Sequence, residues 1–567
     1  MEQNSLESQE KHIEQAKLPD NYTLERTEAD DTGLRLFTLT DQETGVQTTF
    51  AEFNSEDDAH SLMAWVGART SRSADDYPDI YRQVHGAQNA SQKLAQVFSE
   101  YGHASVGDMS PAMIFVNNLP MHQAFWMFNH TSVGGGQELS TRYVELAGCE
   151  VRPIGDFIEA DDADPEQLAS LEKEWQDVQE HSSQMYEKWS PILEQALRDY
   201  LEQNAPEDTK IPNSTVTART LDVSRFWLPA GARTSMAMLS STRSWIDLVS
   251  QLRQAENIEH QQLGLQLNTL LNIGQYEGAE DIKADLSGLT KYSEGKDTLA
   301  RNLAELATHL ESDPKFTSRI EAIDQQMARD SQVELLQIDD FSSYGEQLTL
   351  QYITTLYPHL DERAVLHYLD ELDDNARAEI GRIILQDHMH HDLMRNPGDV
   401  RGALFVIETA QAYLRDINRH RASGRLIPAL EAHNIDAIVY SGYNHSYQMQ
   451  EAEYLKPHAA QWDEDMRRHY QKIYKLYENL KATDEDAASA IVNILPLAHQ
   501  MKMHLSGPVT QMNYLASLRV GLGGDYGYRH LVYEMLEELR SDPYLSSMLP
   551  HLERPNPNDV TQVLGRS

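Results

Sequence analysis

The chain has 567 residues, 40% of them hydrophobic, and its 47 Lys and Arg against 89 Asp and Glu give a net charge of −42. A chain of this length exceeds the size at which one core stops growing, so more than one domain is expected. The acidity disfavours nucleic acid as a partner, because binding to a phosphate backbone needs a basic face. A small phosphorylated ligand is not excluded, since a few clustered arginines can bind it locally.

Cysteine usage and the N-terminus indicate the compartment. Cys149 is the only cysteine, so neither an intramolecular disulfide nor a metal site of several thiolates can form. The first residues lack the basic and apolar regions of a leader, and no apolar run reaches the roughly 18 residues of a membrane span. We therefore predict a soluble, cytoplasmic protein with no membrane partner.

The elements in chain order predict a helix-rich α+β protein. After a polar tail, the residues 34–40 and 46–50 have the alternation of a hairpin. Amphipathic spacing predicts helices over 57–72, 165–202 and 245–271. A helical connection follows, and then residues 333–337 predict a new strand.

Two segments of the chain recur in the same order. Residues 107–116 resemble residues 398–406, and Leu228-Pro229 precedes Arg253 much as Leu495-Pro496 precedes Arg519. We interpret this as a duplicated domain rather than as chance similarity between helical segments. The predicted domains are a polar tail at 1–30, a first domain at 31–273, a helical connection at 274–330 and a second domain at 331–567.

The first candidate site follows three glycines and extends from Gln137 to Tyr143. In an extended segment Glu138, Ser140 and Arg142 point to one face and offer an acceptor, a hydroxyl and a cation. Such a face suits the sugar and phosphate of a nucleotide. The alternative is a surface strand with an ordinary Glu–Arg pair, which the spacing alone favours.

Further candidate anion sites are arginines. Arg225, Arg243 and Arg253 lie in apolar surroundings, where a guanidinium can bind a phosphate or a pyrimidine edge, although surface arginines with buried stems are more common. The residues 415–421 form a basic island that either attracts an anion or pairs with carboxylates of the protein. In the first copy the residues 128–130, Phe-Asn-His, occupy the corresponding positions, so this charge is present once.

Two other patterns are weaker evidence for a functional site. The cluster His388-Met389-His390-His391-Asp392 has helical metal-ligand spacing, but we favour a solvated or structural cluster and predict no metal site. Residues 521–524, Gly-Leu-Gly-Gly, lack a following dinucleotide-binding pattern, so they predict a loop.

Together these segments resemble the flavin-dependent thymidylate synthase family, which methylates dUMP using methylenetetrahydrofolate, FAD and NADPH. The family pattern is Arg-His-Arg, a short spacer and Asn-Glu-x-Ser-x-Arg-Tyr. Residues 419–421 match its first part, residues 137–143 match its second part, and neither copy has the whole pattern. Residues 103–109 resemble the family's His-x-Ser/Thr-x-x-Glu-His segment, with Asp108 for the glutamate and Met109 for the last histidine.

The family's carboxy-terminal element is an Arg before Leu-Pro, then Asn-x-Arg, then Leu-Arg. It matches Arg225, Leu228-Pro229, the residues 241–243 and Leu252-Arg253, with serine for asparagine and one extra residue. In the second copy Leu495-Pro496 and Leu518-Arg519 persist, whereas Val492 and Thr510 replace the other two arginines.

The resemblance implies a role for each matching residue. The implied substrate-binding residues are Glu138, Ser140, Thr141, Arg142, Arg225, Asp416 and Arg419. The implied flavin-binding residues are Ser105, Asp108, Ser241, Arg243, Asp247, Arg419, His420 and Arg421. Arg253 is expected to stabilise negative charge on the pyrimidine, with Arg519 as its rival, and His103 to contact folate or close the site.

The resemblance also implies an architecture and a reaction. The fold is expected to be the helix-rich mixed domain of this family, present twice, and a homodimer of the duplicated chain would imitate the family's homotetramer. The expected reaction converts dUMP to dTMP, with methylenetetrahydrofolate as carbon donor and NADPH-reduced FAD as hydride source. The alternatives are a non-catalytic nucleotide- or flavin-binding protein and a related uridylate one-carbon transferase.

Overall fold

The structure is a computed structural model with two compact units. The first unit comprises residues within 1–117, 237–250 and 263–294, and the second comprises residues within 118–236, 251–262 and 295–567. The structure describes residues 17–27, 34–53, 111–130, 135–142, 144, 150–158, 164–255, 257–279, 298–323, 332–336, 344–385, 403–420, 423–428, 435–484, 486–507, 509–541, 549 and 551–565.

The described elements are helices and antiparallel strands, which confirms the predicted α+β class. The strands are β1 Tyr22–Arg26, β2 Leu34–Asp41, β3 Gln47–Phe53, β4 Pro111–Pro120, β5 Gly135–Glu138, β6 Arg233–Ser241, β7 Val333–Leu336, β8 Ala403–Ala410, β9 Gly424–Leu426 and β10 Gln500–Gly507. The first helices are α1 Met121–His130, α2 Pro165–Asn204, α3 Asn213–Ser224, α4 Thr242–Gln254, α5 Ile258–Leu271, α6 Thr298–Glu311, α7 Pro314–Ile323, α8 Tyr344–Leu356 and α9 Glu362–Asp370. The remaining helices are α10 Asp374–Leu385, α11 Gln411–Ile417, α12 Ile435–Val439, α13 Tyr447–Glu451, α14 Lys456–Thr483, α15 Val509–Arg519, α16 Tyr526–Arg540 and α17 Val560–Leu564.

The first unit contains the predicted hairpin. Strands β1, β2, β3 and the first part of β4 pair in that order, all antiparallel. The turn between β2 and β3 forms because the Asp41 carboxylate accepts from the backbone N–H of Glu43, and Gly45 adopts a positive φ of 68°. The Gln266 side chain donates to the carbonyls of Leu39 and Val46 at 3.0 and 2.9 Å, which fixes α5 to the hairpin.

The second unit contains a four-stranded antiparallel sheet in the order β7-β8-β10-β9. Successive side chains of a strand point to opposite faces, and both faces of β8 are apolar. Phe405 and Ile407 pack in one hydrophobic cluster, whereas Leu404 and Val406 pack in another. The sheet is therefore covered on both sides, which explains why β8 reads as a continuous apolar run.

Two long helices, α2 and α14, pack against each other in the second unit. Helix α2 begins at Pro165 after Asp164, whose carboxylate accepts from the backbone N–H of Glu166. The helix predicted over 165–202 is therefore present and ends at Asn204. Its buried stripe recurs at three- and four-residue spacing, at Leu171, Trp175, Val178, Ser182, Tyr186, Trp189, Leu193, Leu197 and Leu201. Trp189 meets Trp462 of α14 edge-on at 5.1 Å.

The segment 245–271, predicted to be helical, is helical and divides into α4 and α5. Asn257 lies at the break, and its side-chain oxygen accepts from the backbone N–H groups of Glu259 and His260 at 2.9 and 3.2 Å. An asparagine that satisfies the first donors of a helix favours a new N-terminus over continuation.

Matching backbone contacts occur twice in the second unit. The N–H groups of the first two residues of α1 donate to the carbonyls of Ala232 and Ala230, and those of α11 donate to the carbonyls of His499 and Leu497. Pro229 and Pro496, which directly precede Ala230 and Leu497, face each other in an antiparallel bridge. Two copies of one domain would produce this pattern; the duplication and the domain boundaries stay predictions.

Candidate active site

Charged side chains from distant parts of the chain meet in the second unit, and most of them are buried. We call this group the arginine cluster, and it consists of Arg142, Arg219, Arg225, Arg415, Arg419, Arg519, Glu138, Asp222, Asp416 and Asp525. Residues before 273 and residues after 331 both contribute, so the cluster combines the two predicted copies within one chain.

Arg225 connects cluster residues of the two predicted domains. It lies in the short 3-10 turn after α3 and is only 2% exposed. Its Nη2 donates to Asp416 at 3.3 Å and to Asp525 at 2.9 Å, and its Nη1 donates to the Thr141 hydroxyl at 3.5 Å. Asp525 is held in place because it is also the N-cap of α16, where it accepts from the backbone N–H of Gly527.

Arg142 binds the loop that precedes α16. Its Nε donates to Asp222 at 2.8 Å, its Nη2 to the carbonyl of Gly523 at 3.2 Å, and its Nη1 to the Tyr528 hydroxyl at 3.4 Å. Arg219, one turn before Asp222 on α3, donates to the carbonyl of Gly524 at 2.6 Å. The glycine-rich residues 521–524 are thus a loop, as predicted, and its carbonyls accept from arginines of the first half.

Residues of the predicted second domain, 331–567, contribute a second set of cations to the cluster. Arg415 of α11 forms a buried ion pair with Glu138 at the end of β5, and Arg419 Nη2 lies 3.8 Å from the same carboxylate. At the end of α15, Arg519 Nε donates to His420 Nε2 at 2.5 Å. The Arg-His part of the Arg-His-Arg motif therefore lies beside Glu138 of the first predicted domain.

The cluster has more positive than negative charge. Its six arginines exceed its four carboxylates by two, in a chain whose net charge is −42. Among the residues that the structure describes, four buried N–H groups of these arginines have no hydrogen-bond partner. They are Nε of Arg219, Nε of Arg225, Nη1 of Arg415 and Nε of Arg419. Buried cationic donors without acceptors favour an anionic ligand, because leaving them unpaired costs free energy.

Burial and neighbouring charges shift the pKa values in the cluster. Burial raises the pKa of Asp416, but Arg225 and Arg142 outweigh it, so the pKa is lowered and the carboxylate stays ionised. Burial, with Asp222 nearby, raises the pKa of Asp525 to about 6. Burial, with Arg519 nearby, lowers the pKa of His420 to about 4, so this histidine is neutral at pH 7 and can accept from Arg519.

Most of the substrate residues implied by the sequence come together. In the cluster or in direct contact with it are Glu138, Ser140, Thr141, Arg142, Arg225, Asp416, Arg419, His420 and Arg519. Ser140 contributes through its hydroxyl, which accepts from the backbone N–H of Arg142 at 3.3 Å.

The other implied residues are placed elsewhere. Ser241, Arg243 and Asp247 lie in the first unit, at the end of β6 and the start of α4. Arg253 is in the last turn of α4 and has contacts of its own, and the described contacts of the cluster involve Arg519 instead. Outside the described residues lie His103, Ser105, Asp108, Arg421 and the histidine cluster at 388–392.

Two local expectations are corrected. The segment expected to be extended over 137–143 is strand only as far as Glu138, and Arg142 lies in the following turn, so strand alternation does not align them. The turn forms because the Ser140 hydroxyl replaces a strand partner for the Arg142 N–H. The basic island, for which one interpretation was a helix face paired with carboxylates, extends beyond the helix, since α11 ends at Ile417 and Arg419 follows it.

Sequence reasoning missed several cluster residues. Asp222 and Arg219 carry the signal of an ion pair at i,i+3 spacing. Asp525 directly follows the glycine-rich loop and precedes a helix, which is the signature of an N-cap. Nothing local indicates that either aspartate pairs with an arginine of another segment.

The described residues contain neither a group of three His, Cys, Asp or Glu side chains suited to a metal ion nor a helix long and apolar enough to cross a membrane.

Comparison with known protein families gives a match over the region that contains residues 137–143. Residues 53–271 match the model of the thymidylate synthase complementing protein family. This part of the chain has the signature of that family. The resemblance seen in the motifs is therefore confirmed, and the family match covers Glu138, Arg142 and Arg225 of the cluster.

Similarity to individual proteins extends over more of the chain. A UPF0159 protein of Chlamydia pneumoniae is 21% identical over 466 residues, which cover 80% of this chain and 78% of the relative. A UPF0159 protein of Thermoplasma acidophilum is 21% identical over 396 residues, 62% of this chain and 70% of the relative. A third, from Chlamydia muridarum, is 25% identical over 190 residues, 33% and 34% of the two chains.

Proposed function

We propose that this chain is a flavin-dependent thymidylate synthase that converts dUMP to dTMP in the cytoplasm. The observation that carries the proposal is the arginine cluster, where motif residues of both halves form a buried, net positive site. The family match over residues 53–271 supports the same assignment. In this proposal methylenetetrahydrofolate is the one-carbon donor and NADPH the reductant.

The donors of the cluster fit phosphate groups, which dUMP and FAD both carry. Among the described residues, Arg415 Nη1 and Arg419 Nε have no hydrogen-bond partner, and a phosphate oxygen is the acceptor that such cationic donors favour. We assign Arg142, Arg225 and Arg419 to the nucleotide, and Arg419 with His420 to FAD. Bound FAD, once reduced, supplies the hydride.

Arg519 is our choice for stabilising negative charge on the pyrimidine. Its guanidinium lies over the Tyr528 ring at 5.7 Å and is fixed through Nε by the neutral His420. A cation already held in position stabilises developing charge without reorganisation. We therefore choose Arg519 over its rival Arg253, because Arg519 contacts His420 of the Arg-His-Arg motif directly.

The reaction is tested by anaerobic incubation of the protein with FAD, NADPH, methylenetetrahydrofolate and dUMP, followed by mass spectrometry of the nucleotide. We expect a product in which one hydrogen is replaced by methyl, and no product when any of the four is omitted. A hydroxymethyl product would instead indicate the related one-carbon transferase.

Two variants test which arginine stabilises charge on the pyrimidine. Arg519→Gln should lower turnover by about 100-fold or more, the usual effect of removing a preorganised charge-stabilising donor, while dUMP still binds. Arg382→Gln, at an exposed arginine of α10, is the matched control and should retain full turnover. If Arg253→Gln loses turnover and Arg519→Gln keeps it, our assignment of Arg519 is wrong.

One observation favours the second candidate, a non-catalytic nucleotide-binding protein. Arg225, implied to bind substrate, already donates to Asp416 and Asp525, so protein carboxylates take two of its bonds. Tight dUMP binding without product under complete reaction conditions would favour this candidate.

A further inference from the structure

The residues 551–565 lie across several helices of the second unit, and we call this segment the strap. The Asn558 side chain donates to the carbonyl of Glu451, the last residue of α13, at 2.9 Å. The Tyr200 hydroxyl of α2 donates to the carbonyl of Asn558. Val563 of α17 is fully buried and packs in one hydrophobic cluster with residues of α2, α3 and α16. The strap is therefore fixed to the rest of the second unit at both polar and apolar contacts.

The strap contacts the glycine-rich loop 521–524 through Gln562 and Arg219. Arg219 Nη2 donates to the carbonyl of Leu522 at 3.0 Å and to the carbonyl of Gln562 at 3.2 Å. Its Nη1 donates to the carbonyl of Gly524 at 2.6 Å. One guanidinium thus binds three carbonyls, two of the loop and one of the strap, which the planar fork of arginine allows.

Arg529 of α16 forms a second connection between the strap and the start of the loop. Its Nη2 donates to Gln562 Oε1 at 3.1 Å, and its Nε donates to the carbonyl of Val520 at 3.1 Å. The guanidinium carbons of Arg219 and Arg529 lie 4.4 and 4.8 Å from the centroid of the Tyr526 ring, so one aromatic ring contacts both cations. We call Gln562, Arg219 and Arg529 the clamp.

The clamp acts on Arg142 through the loop. Arg142 donates to the carbonyl of Gly523, and Gly523 lies between the two loop residues whose carbonyls Arg219 binds. Arg219 Nη1 also lies 3.6 Å from Asp222, the carboxylate that accepts from Arg142 Nε. Glycines leave a loop with much conformational freedom, so its position depends on such contacts. Arg219 therefore contacts Asp222 and the loop, and both bind Arg142.

We propose that Gln562, Arg219 and Arg529 are positioning residues of the nucleotide site, which hold the glycine-rich loop where it orients Arg142 for a phosphorylated nucleotide. The identity of the ligand rests on the proposed function, whereas the effect of the clamp on the loop does not. A positioning role predicts loss of nucleotide affinity beyond what loss of stability alone would produce.

Hydrogen exchange of the full chain without nucleotide tests the clamp itself. Gln562→Leu keeps the approximate size of the side chain and removes the acceptor of Arg529, whereas Gln562→Glu keeps that acceptor. The backbone N–H groups of Val520 and Gly524 donate within the chain, so their protection can be followed. We expect exchange over 520–527 to be about tenfold faster in Gln562→Leu, as for one lost hydrogen bond to a charged group, and restored in Gln562→Glu.

Titration with dUMP and steady-state kinetics test the positioning role. Arg219→Lys keeps the positive charge, but a single ammonium does not reproduce the fork that binds three carbonyls. This variant and Gln562→Leu should weaken dUMP binding about tenfold, the effect of one hydrogen bond to a charged group. The loss should appear in KM for dUMP and far less in kcat, because Arg142 is assigned to binding.

The matched control is Arg152→Lys, at a buried arginine outside the arginine cluster. Arg152 donates to Asp156 at 3.2 Å and to Gln262 at 2.6 Å, so its replacement also breaks a forked contact. We expect dUMP affinity and loop exchange to match those of the unsubstituted chain, even where stability falls. An equal loss of affinity in this control would show that the clamp variants act through stability alone, and would overturn the inference.

The outcomes separate this inference from the proposed function. Unchanged loop exchange in both Gln562→Leu and Arg219→Lys would overturn the clamp, whatever the ligand. Faster exchange with unchanged dUMP affinity would overturn the positioning role while the proposed function stands. Absence of dUMP binding by the unsubstituted chain would contradict the proposed function and the positioning role together, and the loop exchange would still report on the clamp. If Gln562→Leu does not fold, Arg219→Lys provides both measurements.

Discussion

The segments 121–130 and 411–420 differ in chemistry although their backbones are placed alike. Each follows a strand directly, and each begins with two N–H groups bonded to carbonyls beside a Leu-Pro pair. The first ends in Phe-Asn-His and contains no arginine, whereas the second carries Arg415 and Arg419 and belongs to a net positive cluster. The comparison teaches that two segments with similar backbone contacts differ in charge, and that this difference comes from their side chains alone.

The largest effect is expected from breaking the cationic segment at Arg415. Arg415→Ala leaves Glu138 buried without its main counter-ion, which should lower the free energy of unfolding by about 3–5 kcal/mol. The double variant Arg415→Met with Glu138→Gln should recover much of this loss, because neither buried charge remains. Chemical denaturation measures both. A single variant as stable as the exposed control Arg382→Ala would mean that Arg415 and Glu138 are not a buried pair.

The packing that positions the cationic segment should come next in magnitude. A Cβ on Gly527 of α16 would overlap the ring of Tyr413 on α11, so Gly527→Ala should cost about 1–3 kcal/mol through overpacking. Gly381→Ala is the matched control, since it lies inside α10 with no atom within 4 Å of the added Cβ. The control should gain about 0.5–1 kcal/mol from helix propensity. Thermal and chemical unfolding of both variants check the opposite signs, and two changes of the same sign would contradict the α11–α16 contact.

The remaining predictions concern the pH dependence of stability. The native pKa of His420 is about 4, below its ordinary value, so between about pH 4 and 6.5 the unfolded chain binds a proton that the native chain does not. His420 thus makes stability rise with pH in this window, and His420→Gln should flatten the rise.

Asp525 acts in the opposite direction. Its native pKa of about 6 lies above its ordinary value, so the native chain retains a proton that the unfolded chain loses, and this contribution falls as pH rises from about 4 to 6. Asp525→Asn should therefore steepen the rise. Denaturation across the window measures both slopes, with the exposed His367→Gln as control. Identical slopes in all three variants would contradict the pKa shifts of both His420 and Asp525.

Elements with local signals could be predicted from the sequence. The hairpin follows from alternation around the Asp41–Gly45 turn, and α2 follows from its cap and its apolar stripe. The break between α4 and α5 was missed, although the capping residue Asn257 signals it.

The candidate site was predicted only as far as its motifs. Glu138, Arg142 and Arg225 were found because their residue types recur in a family pattern. Their partners Asp222 and Asp525 were not, because Arg142 and Asp222 are 80 residues apart and Arg225 and Asp525 are 300 apart, and no local pattern encodes such pairing.

The central claim is that motif residues of both halves of one chain form one site for a phosphorylated nucleotide. Isothermal titration with dUMP tests it most directly, with deoxyuridine as the control that lacks the phosphate. We predict one site per chain, much weaker binding of deoxyuridine, and loss of affinity in both Arg142→Gln of the first half and Arg419→Gln of the second. Absence of dUMP binding, or affinity unchanged in either variant, would contradict the claim.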